Sequence, residues 1–154
     1  MDLNYFNLPF GAQLLLWTSR VLLRGSCRTT PNKYELVNIA YNKVGILSGE
    51  ILLKDFLLQV KEQKSFKLQH ISIQKLNTTE INLINCINDY KNKNFDDDYY
   101  LDIWNIKSSE NHFIIAAQRL ALAFKEAKLN IDLNSIYYNR YVSQSENYFS
   151  KTFH

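Results

Sequence analysis

The stretch Leu76–Tyr90, LNTTEINLINCINDY, decides the fold class. Asn77 followed three residues later by Glu80 is a capping box, in which each side chain satisfies a backbone N–H of the other. Leu76 and Ile81 stand where a hydrophobic staple places its two apolar partners. Leu83, Ile84, Ile87 and Tyr90 then recur at helical spacing, so one face is apolar and the rest polar. A start signal, an orienting contact and a periodic face all predict the same helix.

Working outward, the same period recurs along most of the chain. Upstream, a helix is expected from Pro9–Gly11 to Arg24, stopped by Gly25-Ser26. Its apolar residues wrap most of the circumference and leave a polar stripe through Gln13, Arg20 and Arg24. A second helix is expected to open with Thr30 as N-cap and Pro31 at the first helical position, with Gly45 as its stop. Ser48 is expected to cap a third helix through about Lys64, its inner face formed by Leu53, Phe56, Leu57 and Val60. Glu50 and Lys54 should pair on its outside. FKLQHISI (66–73) alternates with a slip at His70; with no second strand to pair with, it is expected as an extended connector.

Downstream, a short helix is expected over Asp97–Ile106. A long alanine-rich one, capped by Ser108 or Ser109, should run to about Lys128. Ser135–Tyr141 could add a last turn or two. The fold class expected is therefore all-α: one compact bundle of five or six helices, with the first and the alanine-rich helix at its centre and the connector near 66–73. Residues 1–141 form one helical domain, and 142–154 are a tail that is either poorly ordered or docked through its many aromatic rings.

Composition agrees with a packed domain. Leu, Ile, Val and Phe supply 49 of the 154 residues, far above the level of disordered chains. Two prolines and four glycines are few for an all-β chain, which must turn often. Net charge is +3, but residues 1–75 carry +5 and residues 76–154 carry −2. Lys, Ile and Asn have A/T-rich codons and together exceed a quarter of the chain, so an A/T-rich genome explains the lysines in part. The five arginines are the more informative cations, and three of them cluster. Cys27 and Cys86 are 59 residues apart without a metal-ligand spacing, as expected of two thiols in a reducing compartment. No leader-like segment or membrane span is visible, so a soluble cytoplasmic protein is expected.

Catalytic signatures are missing. Glycines at 11, 25, 45 and 49 cannot build a phosphate loop, and no HExxH, GxSxG or kinase set occurs. His70 and His112 read as structural or solvent-exposed histidines. Asp96, Asp97, Asp98 and Asp102 could gather a hard cation, but a first helical turn already favours acidic residues. Neither a metal nor a cofactor is expected.

Two kinds of binding remain. Tyr41–Ile51 resembles the turn of a helix-turn-helix, so residues 34–61 and the basic N-terminal half could bind nucleic acid. The would-be recognition helix, however, offers ILL and FLL rather than residues that read base edges. Protein–protein interaction is therefore the first expectation: an adaptor, assembly or regulatory factor rather than an enzyme. Trp17, Arg20, Arg24 and Arg28 are the expected partner-binding residues, an arginine stripe beside a large aromatic anchor, suited to a partner with an acidic surface. The competing bland expectation packs Trp17 in the core and turns the arginines to water or to Asp96–Asp98.

Overall fold

The computed structural model describes residues 3–25, 32–93, 97–106 and 110–134. After a short 3-10 turn at Tyr5–Asn7, six α-helices follow among these residues: α1 (Phe10–Arg24), α2 (Lys33–Lys43), α3 (Gly49–Leu58), α4 (Thr78–Lys91), α5 (Asp97–Ile103) and α6 (Glu110–Glu126). The all-α bundle expected from the periodicity is the architecture found. The connector is extended and irregular, and its end pairs with the N-terminal segment through one antiparallel bridge, Asn4 with Lys75. Tyr5 N donates to Gln74 O at 2.7 Å and Leu76 N to Leu3 O at 3.0 Å, which clips the two segments together.

The capping box at α4 forms as expected. Glu80 N donates to Asn77 Oδ1 at 2.8 Å and Asn77 N to Glu80 Oε1 at 3.0 Å. At α2 the cap is Asn32, whose Oδ1 accepts from Glu35 N at 3.0 Å. The expected cap Thr30 and Pro31 lie outside the described residues. Ser48 precedes α3 but its hydroxyl makes no cap bond.

Three helices end in a shared motif. Ile46 N, Ile106 N and Leu129 N each reach back five residues to a carbonyl, at Tyr41, Leu101 and Phe124. This is the six-to-one bond of a Schellman motif. Its left-handed residue is glycine only at Gly45; at the other two it is Asn105 (φ 56°) and Lys128 (φ 57°). Without a glycine to announce the stop, α5 and α6 end before the expected Ile106 and Lys128. α3 also stops early, at Leu58 rather than Lys64, but tight turns continue the inward pattern and Val60 stays buried.

α4 and α3 pack on α6, while α1 packs on α2, α3 and α4. α3 and α4 are the elements that α1 and α6 share as packing neighbours. Two glycines set the closest approaches. A Cβ on Gly11 would lie 2.5 Å from Asn130 O, so the start of α1 abuts the end of the described chain. A Cβ on Gly49 would lie 2.2 Å from Cγ of the buried Tyr41. Gly49 is thus the small residue that lets the start of α3 pack against Tyr41 of α2.

Gly49→Ala should lower stability by about 1–3 kcal/mol through overpacking against that ring. A neutral or stabilising result in denaturant titration, as helix propensity alone would give, would show that Tyr41 moves freely.

Aromatic rings fill the other end of the core. Trp104, 1% exposed, has Phe56, Phe66, Tyr100 and Phe113 within ring-contact distance, at centroid separations of 6.4, 5.1, 5.6 and 6.0 Å. Tyr100, also buried, donates its hydroxyl to Asp89 Oδ2. Burial and the adjacent carboxylate both hold the Tyr100 hydroxyl far above its ordinary pKa.

Candidate interaction surface

The four residues singled out on and after α1 do not form one surface. Arg20 is buried, and its guanidinium is held inside the protein. Nε and Nη2 donate to the two carboxylate oxygens of Glu80 at 2.6 and 3.0 Å, and Nη1 donates to Ile73 O at 2.6 Å. Trp17 is half-buried and packs on the core. Arg24 is exposed at the end of α1, and Arg28 lies outside the described residues. Arg20 is therefore corrected from an outward-facing residue to an internal clasp. Its partner is Glu80, not the acidic run expected to meet it; the side chains of Asp96–Asp98 lie outside the described residues.

Glu80 is the hub of that clasp. Besides capping α4 and pairing with Arg20, its oxygens accept Gln69 N at 3.0 Å and Gln69 Nε2 at 3.3 Å. Burial alone would push this carboxyl up, but the Arg20 guanidinium and the backbone N–H groups of Asn77 and Gln69 outweigh it and hold Glu80 below the usual glutamate value. Three segments meet at one carboxylate, α1, the connector at 69 and the start of α4, and Arg20 ties in the turn at 73 through Ile73 O.

The surface that does face outward belongs to α3. Its packed side carries Gly49, Leu53, Phe56 and Leu57. The opposite side presents Ile51 (58% exposed) and Leu58 (47%), and Leu47 (80%) is exposed in the turn just before the helix. Residues 51 and 58 are seven apart and share one helical stripe. Asp55 flanks this stripe on one side and Lys54 and Lys61 on the other, all exposed. The expected Glu50–Lys54 pair is not the contact Lys54 makes; its ammonium lies over the Tyr34 ring, 5.3 Å from the centroid.

The remaining candidates from the sequence are placed as follows. His70 Nδ1 is hydrogen-bonded to Ser72 Oγ at 2.8 Å in an exposed turn. His112 is exposed and lines a shallow groove with Asp55, Gln59 and Arg119 between α3 and α6. Cys86 is buried in α4, and Cys27 lies outside the described residues. Among the described residues no group of three His, Cys, Asp or Glu is placed to hold a metal ion. No helix there is long and apolar enough to cross a membrane.

Comparison with known proteins adds no likeness. No family model, curated protein or solved structure matches the chain. The exposed apolar residues of α3 were not among the residues expected from the sequence. The sequence carried a partial sign of them. ILL at 51–53 and FLL at 56–58 give α3 more apolar residues than one buried face can use.

Proposed function

We propose that this protein is a non-enzymatic interaction factor that docks a protein partner on the outer face of α3. One observation carries it: Ile51 and Leu58, seven apart, stand exposed on a helix whose other side is packed, with exposed Leu47 in the turn just before it. Scattered exposed leucines are ordinary on protein surfaces; an aligned set on one helix is the arrangement by which a helix face seats against a partner. The same face weakens the nucleic-acid alternative for residues 34–61. A groove-reading helix needs outward Arg, Asn or Gln, whereas α3 turns Ile51, Asp55 and Leu58 outward with Lys54 as its one exposed cation.

The test is a double change at exposed positions, Leu47→Asp with Ile51→Asp, which should leave the fold intact. Wild-type protein purified from its native cells is expected to carry a partner in stoichiometric amount, and the double variant to lose it. A partner retained by the variant, or recovery that disappears on nuclease treatment, would overturn the proposal.

A further inference from the structure

The α3 stripe does not end at Leu58. That residue also forms one wall of a cleft between α1, α2 and α3, whose rim carries Lys33, Lys54 and Lys61 around Tyr34. Lys33 is explained locally: it stands in the first turn of α2, where a cation is disfavoured, because its Nζ donates to Leu22 O near the end of α1 at 2.9 Å. Lys54 has only the face of the Tyr34 ring, and Lys61 has no such account. Among the described residues neither has a carboxylate within ion-pair distance. Lys33 and Lys54 both stand over the one Tyr34 ring, 5.4 and 5.3 Å from its centroid, although like charges gathered on one side of a fold repel. An anionic group at this rim would relieve that repulsion and accept hydrogen bonds from ammonium groups whose donors remain available.

The dimensions choose among anions. The cleft holds about 100 Å³, well below the roughly 300 Å³ at which small-molecule pockets begin. That admits the end of a side chain, not a nucleotide. Its inner walls, Leu22, Leu57 and Leu58, are apolar, which suits an apolar residue with carboxylates beside it better than a phosphate chain.

From this charge and shape complementarity we propose that the partner segment seated on α3 is acidic, with carboxylates on Lys33, Lys54 and Lys61 and an apolar side chain entering the cleft against Leu58. The proposal rests on the interaction role assigned to α3 and supplies the chemistry of the partner.

The experiment uses the full chain and a fluorescein-labelled peptide of alternating Glu, Asp and Leu, followed by anisotropy at low and moderate salt. The wild type should bind the peptide, more weakly as salt rises. Lys54→Glu with Lys61→Glu should weaken binding about tenfold or more, as expected for lost and reversed charge contacts. Lys91→Glu with Lys93→Glu makes the same change in net charge at the separate groove between α4 and α6 and should leave binding within about twofold. Failure of the peptide to bind, or equal loss in both double variants, would overturn the site. So would an oligouridine strand that binds through the same lysines more tightly than the peptide.

The two double variants also separate this inference from the reading beneath it. A native partner lost on changing Leu47 and Ile51 but kept on changing Lys54 and Lys61 leaves the α3 interface standing and removes the acidic partner. A native partner indifferent to both removes the interface itself.

Discussion

Replacing Glu80 with alanine is expected to destabilise the protein by about 3–5 kcal/mol, the usual result of stranding one member of a buried ion pair. The residue left behind is Arg20, 1% exposed and held by Glu80 at 2.6 Å. The loss extends beyond the pair, because Asn77 N and Gln69 N also lose their acceptor. Exchanging both ions for apolar residues, Arg20→Met with Glu80→Leu, should cost less than the two single changes together, since no charge is stranded. It should still fall short of wild type, because those backbone donors and Ile73 O remain unpaired.

The pH dependence has a definite sign. Glu80 is depressed in the folded protein relative to its ordinary value of 4.5. The clasp therefore contributes fully above about pH 4.5 and is lost as pH falls through the depressed folded value. The stability gap between wild type and Glu80→Gln should narrow across that acidic range. A gap that stays constant there would mean that Glu80 carries no charge-dependent stabilisation.

Trp104→Ala is expected to have the second large effect, about 3–5 kcal/mol. Four rings surround this side chain, from α3, the connector, α5 and α6, so its removal leaves a cavity that no single segment can close. For a chain of this size that corresponds to a fall in Tm of about 10 °C or more. Trp104→Phe keeps the edge-to-face contacts in part and should cost distinctly less. Calorimetry of the two variants checks the account; equal losses would mean that a specific contact, not volume, is what Trp104 supplies.

The legibility of the fold follows from which interactions are local. The α4 start was readable because its cap, its staple and its apolar face all lie within fifteen residues. Helix ends at Asn105 and Lys128 were not, because their left-handed residues are not glycines. The burial of Arg20 is not legible for a different reason. On α1 it shares a stripe with Gln13 and exposed Arg24, and only the carboxylate 60 positions away singles out Arg20 as the buried member. Glu80 itself was assigned to capping, which it performs, and nothing in its spacing announced a second duty. On α3 the inner face was legible: helical spacing picks out Leu53, Phe56, Leu57 and Val60, and all four are buried. The exposed apolar residues opposite them, Ile51 and Leu58, carry no local signal of their own.

The central claim, that α3 presents a protein-docking face, is tested most directly by a photo-crosslinking residue placed at Ile51 in the native cells. The control position is Leu122 on α6, which is 52% exposed and lies away from the stripe. The account predicts one discrete, protease-sensitive adduct from position 51 and none from position 122. A nuclease-sensitive adduct at 51, or the same pattern from both positions, would contradict it.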